Sequence, residues 1–194
     1  MKIGVIALQG DVSEHVHAME KALEGRGSVI EIRRPGLVSE CDGLVLPGGE
    51  STTISRQLES SGIRDEIMGA VRLGVPLLAT CAGLVLVSKK IDGDTKVKPL
   101  GLMDITIGRN VFGSQRESFE ADLPVSGFDK PYRAVFIRAP AIVDAEKGVE
   151  VLASIDRDIV VAARQGNIMC LAFHPELTSD MRFHKEFLRM IGGV

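Results

Sequence analysis

The chain has 194 residues, of which 45% are hydrophobic and 25% are charged, with a formal net charge of −3. This composition is sufficient for a sizeable core, and we expect one domain over residues 1–194. The slightly acidic balance argues against nucleic acid or an anionic membrane as a partner. Three widely spaced cysteines favour free thiols in a reducing cytoplasm over a disulfide framework, and the first residues lack the pattern of a signal peptide.

Strand and helix patterns alternate through the first half of the chain. Strands are predicted over residues 2–8, 28–33, 43–46 and 75–80, and helices over residues 11–24, 51–60 and 63–73. Asp11 and Glu14 have the spacing of a capping box, and Gly74 is suited to end the third helix. Such alternation with short connections predicts a parallel sheet that is covered by helices on both faces.

The second half is richer in strands. Strands are predicted over residues 102–108, 133–138 and 149–155, less regularly over 114–120, and as a hairpin of 159–164 with 168–173 around a glycine turn; a last helix is predicted over 178–191. The predicted fold class is therefore α/β, a three-layer sandwich whose mostly parallel sheet is flanked by helices and extended by antiparallel strands.

Cys81 occupies a turn between the apolar run 75–78 and a helical stretch predicted over 82–89. A nucleophile in a sharp strand–turn–helix elbow is typical of hydrolases, and here a cysteine stands at the nucleophile position. The helix N-terminus offers a positive potential that favours a thiolate. The alternative is that Cys81 simply packs in the core, as free cysteines commonly do.

His174 and Glu176 follow the last predicted strand and are separated by Pro175. The proline favours an extended backbone at His174, in which residues two apart point the same way, so that the Glu176 carboxylate can reach the imidazole. A carboxylate on one ring nitrogen fixes the tautomer and leaves the other nitrogen available as a base. The alternative is a strand-end histidine that is satisfied by a nearby acid. Together with an elbow cysteine, however, the pair indicates Cys–His–acid catalysis.

A glycine-rich turn over residues 47–53 follows the third predicted strand. Gly48 and Gly49 allow the backbone to approach a ligand, and the N–H groups before the next helix can bind negative charge. A plain glycine turn with Ser51 as helix N-cap is an equally good interpretation of this segment alone.

These segments together resemble a known family. The runs 47–49 (Pro-Gly-Gly), 80–84 (Thr-Cys-Ala-Gly-Leu) and 174–176 (His-Pro-Glu), in this order, are similar to the class I, or triad, glutamine amidotransferases. Further runs resemble the glutaminase subunits of pyridoxal 5′-phosphate synthase: 8–12 with 14–15, 48–53, 109–115, 118–120 and 136–140. The family's elbow usually has glycine two residues before the cysteine, where this chain has Ala79.

The resemblance implies roles for individual residues. Cys81 would be the nucleophile, His174 the general base and acid, and Glu176 the residue that orients His174. The backbone N–H groups of Gly49 and Ala82 would form the oxyanion hole. The positions that match glutamine-binding residues are Gly49, Glu50, Ser51, Arg109, Ile137 and Arg138. Either arginine can bind a carboxylate and Glu50 can bind an ammonium group, although for either arginine alone a surface ion pair is the competing interpretation.

The resemblance also implies a partner. L-glutamine would be hydrolysed to L-glutamate and ammonia for a separate synthase subunit that makes pyridoxal 5′-phosphate, within a large hetero-oligomer. The product of that complex would have no site on this chain, so no cofactor is expected. The alternatives are a glutaminase for another amidotransferase such as imidazole glycerol phosphate synthase, a catalytically silent regulatory subunit, and a cysteine hydrolase or redox sensor on a related fold.

The remaining histidines and cysteines have no metal-site spacing, and no metal is expected. His15 and His17 are two residues apart on a predicted helix and so point to different sides. We expect His184 to lie on the surface, and Cys41 and Cys170 to be in the core or inert.

Overall fold

The computed structural model describes residues 1–93, 96–108, 111–112, 117–156 and 158–192. The strands are β1 (Lys2–Ile6), β2 (Ser28–Ile32), β3 (Gly43–Leu46), β4 (Leu77–Thr80), β5 (Ser88–Ile91), β6 (Met103–Gly108), β7 (Ser118–Leu123), β8 (Tyr132–Ile137), β9 (Ala141–Ala145), β10 (Glu150–Ile155), β11 (Ile159–Gln165) and β12 (Ile168–Leu171). The helices are α1 (Val12–Leu23), α2 (Ser51–Ser61), α3 (Ile63–Arg72), α4 (Ala82–Val87) and α5 (Arg182–Gly192), with 3₁₀ turns at Val38–Glu40 and Pro175–Leu177.

The main sheet has the strand order β2-β1-β3-β4-β12-β11-β9-β6-β5, with β10 also paired to β11. The first five strands of this order are parallel, while β11 is antiparallel to β12 and β9 is antiparallel to β6. The predicted α/β class, with a parallel half and added antiparallel strands, is confirmed. The carboxyl ends of β1, β3, β4 and β12 consequently lie side by side at one edge, which is where ligands bind in such sheets.

The central strands form the core. Every residue of β3, β4 and β12 is buried, as expected for parallel strands that are covered on both faces. The hairpin of β7 and β8 forms a separate two-stranded sheet, which is held against the main sheet by aromatic side chains. The Phe136 ring on β8 lies 5.5 Å from that of Phe173, which in turn lies 5.4 Å from Phe183 on α5. These contacts fix the chain at the residue immediately before His174.

Two predicted helices are shorter in the structure. The helix predicted over 82–89 ends at Val87, because Ser88 Oγ donates to the Val85 carbonyl and Leu100 and Leu102 donate to the last carbonyls. The following residues then form β5. The last helix begins at Arg182, since the Asp180 carboxylate accepts its backbone N–H at 3.1 Å.

Strands β5 and β9 are additional to the strands that the sequence patterns predict. The hairpin of β11 and β12 is present as predicted.

In the described ranges, no helix combines the length and the apolar character that crossing a bilayer requires.

Candidate active site

Cys81 lies between β4 and α4 at a strained backbone position, with φ 48° and ψ −104°. A positive φ is uncommon for a residue other than glycine and is a feature of nucleophile elbows. The Cys81 N–H donates to the Leu171 carbonyl of β12 at 2.8 Å, which fastens the turn to the neighbouring strand. Gly83 allows α4 to pack closely, because a Cβ there would lie 2.2 Å from the Leu46 carbonyl oxygen.

Ala79 is accommodated without disturbing this elbow. Its side chain is fully buried within β4, where it pairs with Leu46 on β3 and Cys170 on β12. The departure from the family's usual glycine therefore places one methyl group in the core, and the turn two residues later still forms.

His174 and Glu176 are brought together at the end of β12. The His174 ring atom Nδ1 lies 2.7 Å from Glu176 Oε1, and both side chains are almost entirely buried. The backbone after His174 is not extended as the sequence predicted, because Pro175–Leu177 forms a 3₁₀ turn. This turn still brings the Glu176 carboxylate to the imidazole. The backbone N–H of His174 donates to the Val135 carbonyl at 2.9 Å, so that β8 also positions the imidazole.

The free side of the His174 ring faces the cysteine. Nε2 is buried and has no hydrogen-bond partner in the described ranges. Burial alone would lower the pKa of His174, but its interactions with Asp11, the Cys81 thiol and Glu176 outweigh that effect and raise the pKa to about 12. The raised pKa favours transfer of the thiol proton to the imidazole, and Nε2 is the atom that receives it because Nδ1 carries the proton held by Glu176.

Asp11 is a site residue that sequence reasoning missed. Instead of capping α1, its carboxylate Oδ2 lies 3.4 Å from His174 Nδ1, and the predicted capping box is wrong because Asp11 makes no side-chain cap hydrogen bond. The interaction with His174 lowers the pKa of Asp11. Its position in the loop after β1, a strand that lies beside β3 in the sheet, is the signal that could have identified it.

The Gly48–Gly49 turn lies against the same residues. A Cβ on Gly48 would lie 2.8 Å from His174 Cε1, 2.9 Å from Asp11 Oδ2 and 3.2 Å from Cys81 Cβ. The absence of a side chain at Gly48 thus lets the turn approach the nucleophile and its base. Gly49 has φ +148°, within the range that side chains disfavour.

Glu50 is the N-cap of α2, not Ser51. Its carboxylate accepts from the backbone N–H groups of Thr52 at 3.1 Å and Thr53 at 2.6 Å. These hydrogen bonds, led by the one from Thr53, lower the pKa of Glu50 to about 2. The carboxylate is therefore charged at neutral pH and exposed beside the turn, while Ser51 is buried.

A cleft of about 200 Å³ opens over the cysteine. Its lining comes from the two turns and from the segment that follows β8: Gly49, Glu50, Ser51, Cys81, Ala82, Val85, Arg138, Ala139 and Pro140. As the first residue of α4, Ala82 presents an N–H that has no acceptor within the helix. A larger cavity of about 560 Å³ lies elsewhere, beside Met1 and the end of α5, and its lining includes no nucleophile.

Two of the three other residues that are predicted to bind glutamine, Ile137 and Arg138, lie beside the cysteine. Arg138 lines the cleft with φ 43°, and its N–H donates to the Glu117 carbonyl at 2.7 Å. The preceding Ile137 presents its carbonyl to the Cys81 thiol at 3.8 Å. Arg109 lies outside the described residues.

The remaining histidines and cysteines follow the predictions with one exception. His15 is buried and His17 exposed, on different sides of α1 as expected. His184 is fully buried, so the prediction of a surface residue is wrong: it lies on the face of α5 that packs against α1, where burial lowers its pKa to about 3. Burial also raises the thiol pKa of Cys41 to about 11 and of Cys170 to about 12, which makes both inert as nucleophiles.

A single group of possible metal ligands is found in the described ranges, and it coincides with this site. Ligand atoms of Asp11, His174 and Glu176 lie within 4.8 Å of one another. Both carboxylates converge on the same ring atom, Nδ1, whose proton Glu176 already accepts. A cation would have to displace that proton, and the absence of a metal therefore stays our prediction.

Comparisons with known proteins agree on one family. Residues 5–192 match the family model described as the SNO glutamine amidotransferase family. The chain is 62% identical over 188 residues to the pyridoxal 5′-phosphate synthase subunit PdxT of Methanothrix thermoacetophila, covering 96% of this chain and 98% of the relative. It is 55% identical over 196 residues to the subunit of the same name from Methanocella arvoryzae, covering 100% and 98%.

Solved structures show the same fold. A crystal structure described as a glutamine amidotransferase superposes with a TM-score of 0.91 at 42% identity, covering 98% of each chain. PurLQS from Thermotoga maritima superposes with a TM-score of 0.69 at 16% identity over 99% of this chain and 97% of that one, a likeness that concerns the fold alone.

Proposed function

Because the chain belongs to the SNO glutamine amidotransferase family, we propose that it hydrolyses L-glutamine to L-glutamate and ammonia through a thioester on Cys81. The observation that carries the proposal is the arrangement of Cys81, His174 and Glu176: an elbow thiol, a facing imidazole whose Nε2 is unpartnered in the described ranges, and a carboxylate 2.7 Å from the opposite nitrogen. This is the geometry that activates a thiol as a nucleophile.

The first half-reaction forms the thioester. His174 Nε2 takes the thiol proton, and the sulfur attacks the side-chain amide carbon of glutamine. The carbonyl oxygen then carries the negative charge, which the N–H groups of Gly49 and Ala82 would stabilise, at about 3–4 kcal/mol of barrier for each donor. His174 returns the proton to the amide nitrogen, the carbon–nitrogen bond breaks and ammonia leaves.

The second half-reaction releases glutamate. His174 takes a proton from a water molecule, and the hydroxide attacks the thioester carbon. The same two N–H groups hold the second oxyanion, the carbon–sulfur bond breaks, and the sulfur regains its proton. Glu176 stabilises the imidazolium in both halves without itself being protonated.

Glutamine would be held by charge complementarity in the cleft. The charged Glu50 carboxylate is suited to the α-ammonium group, and Arg138 to the α-carboxylate. Ser51, Gly49 and Ile137 would complete the site with polar main-chain or side-chain groups, and Arg109 would provide a second guanidinium.

We further propose that the ammonia is delivered to a pyridoxal 5′-phosphate synthase subunit in a large hetero-oligomer. The two relatives named above match 96% and 100% of this chain, which supports this role over the imidazole glycerol phosphate alternative. Ammonia released into water would be protonated and diluted, so its use requires a docked acceptor. The exposed Ile137 beside the cleft makes this face a suitable docking surface.

The test is ammonia release from glutamine, with and without the synthase subunit, by wild type and Cys81→Ala. We expect stimulation by the partner and a loss of at least about 1,000-fold in Cys81→Ala. Cys41→Ala, which removes an inert thiol far along the chain, is the matched control and should keep wild-type activity. Full activity in Cys81→Ala, or no stimulation by the partner, would contradict the proposal.

A labelling experiment separates the nucleophile from the other two cysteines. A glutamine-like electrophile should add once, and peptide mass spectrometry should locate the adduct on Cys81. Excess glutamine should slow that addition. Modification of Cys41 or Cys170 instead would contradict the assignment.

A further inference from the structure

His15 on α1 is fully buried directly behind the candidate active site. Its ring atom Nε2 lies 2.9 Å from Thr80 Oγ1 and 3.2 Å from Glu176 Oε2. Thr80 is the last residue of β4 and immediately precedes Cys81. One imidazole therefore contacts both the strand that carries the nucleophile and the carboxylate that orients the base.

The two oxygens of Glu176 have different neighbours. Oε1 is bound to His174 Nδ1 at 2.7 Å, whereas Oε2 faces His15 Nε2 at 3.2 Å and makes no hydrogen bond in the described ranges. The Glu176 side chain is fully excluded from solvent, so bulk water cannot solvate Oε2. A buried carboxylate oxygen needs positive partial charge beside it, and the His15 ring, held by Thr80, is placed to supply it through this close contact.

The His15 ring is suited to this task as a neutral donor. Burial lowers the pKa of His15, the strongest of several effects on it, so the ring carries one proton at neutral pH. Because Nε2 faces a carboxylate oxygen that can only accept, the proton belongs on Nε2. The charged and titratable groups around it are Glu176 and His174 after β12, Asp11 and Glu14 at the start of α1, and His184 on α5.

Resting on the function proposed above, we infer that His15 is a positioning residue of the glutaminase, which holds the Glu176 carboxylate and ties it to the nucleophile strand through Thr80. Without the His15 ring beside Oε2, the buried Glu176 carboxylate turns more freely and holds His174 Nδ1 less firmly. His174 then loses its fixed tautomer and orientation, while the cleft that binds glutamine is unchanged.

The test compares His15→Leu, which removes the donor, with His15→Gln, whose side-chain amide keeps an N–H at a similar reach. Both are assayed as the complex with the synthase subunit, and kcat and KM are measured separately. His15→Leu should lower kcat by about 10- to 100-fold and leave KM within about twofold. His15→Gln should recover most of kcat.

His17→Leu is the matched control, since His17 is exposed on the opposite side of the same helix, and it should behave as wild type. If His15→Leu fails to fold, Thr80→Val decides the question, with a lower kcat and an unchanged KM expected. An unchanged kcat in folded His15→Leu, or equal losses in the Leu and Gln variants, overturns the inference. Inactivity of wild type with its partner would instead overturn the proposed function.

Discussion

The backbone N–H of Glu50 donates to the side-chain oxygen of Gln9 at 2.7 Å, across the gap between the β1–α1 and β3–α2 loops. Two residues away, the Gly48 carbonyl accepts from the backbone N–H of Asp11 at 3.3 Å. The peptide groups around Gly49 are therefore fixed at both ends by one neighbouring loop. That loop sets the direction of the N–H that we assign to the oxyanion hole.

Replacing Gln9 by alanine should loosen this turn without touching the triad. A hydrogen bond of this kind contributes about 1 kcal/mol, so we expect kcat/KM for glutamine to fall by about 5- to 10-fold in the complex. Gln9→Glu keeps an oxygen acceptor at the same reach and should lose less activity. A Gln9→Ala enzyme with wild-type kinetics would show that the turn holds its geometry without Gln9.

Gly48→Ala should remove activity through the position of His174. The added Cβ would lie 2.8 Å from His174 Cε1, so the imidazole or the turn must shift by several tenths of an ångström. Displacements of this size in an active site are costly, and a loss of about 100-fold in kcat is expected.

The matched control for Gly48→Ala is Gly69→Ala. A Cβ at Gly69 meets nothing within 4 Å, and the residue lies inside α3, where alanine is preferred. Urea unfolding should show Gly69→Ala to be more stable by about 0.5–1 kcal/mol, with wild-type kinetics. Equal activity of the two alanine variants would contradict the steric argument.

The sequence predicts the parallel half of the fold well, because its central strands are short, buried and mostly apolar runs, and amphipathic helices separate the strands of this half. It fails where local pattern and tertiary contact disagree. The helical pattern over 82–89 extends past Val87, yet the backbone N–H groups of Leu100 and Leu102 donate to the last carbonyls of α4, and the chain from Ser88 forms β5 instead. Strand β9 is short and follows Pro140, and the sequence pattern does not predict it.

Cys81, His174 and Glu176 could be found from sequence because each stands at the end of a predicted strand with reactive chemistry. Asp11 and His15 could not be found in this way. Asp11 precedes α1 and His15 lies in its first turns. In a sequence, an acid at the first position predicts a helix cap, and a histidine at the second predicts no more than a residue on one face of the helix. Their roles depend on the proximity of β1 to β3 and of α1 to the turn after β12, which only the tertiary structure provides.

Stability should fall in mild acid because of His184. Its pKa is about 3 in the folded chain and 6.5 for an unperturbed histidine, so the unfolded state binds more protons between these values. The contribution of His184 is fully present above pH 6.5 and is lost as pH falls toward 3, by about 1.4 kcal/mol for each pH unit. His174, whose pKa is raised, acts in the opposite sense.

The difference between wild type and His184→Leu isolates this residue from the others. Urea unfolding of both chains should show that wild type loses about 2 kcal/mol more than the variant between pH 7 and pH 5. Circular dichroism at each pH would confirm that both begin folded. Parallel pH dependences of the two chains would mean that His184 is accessible to protons in the native state.

Ala79→Gly tests whether the departure from the usual elbow matters for catalysis or for stability. The Ala79 methyl group is fully buried in β4, and the strained residue, Cys81, lies two positions further on. Glycine at this position lacks the buried methyl group and gives the unfolded chain more backbone freedom. The free energy of unfolding should therefore fall by about 1–2 kcal/mol. Glutaminase kcat should stay within about twofold of wild type, since the Cys81 N–H remains bound to Leu171. A marked gain in kcat would instead mean that the alanine restrains the elbow.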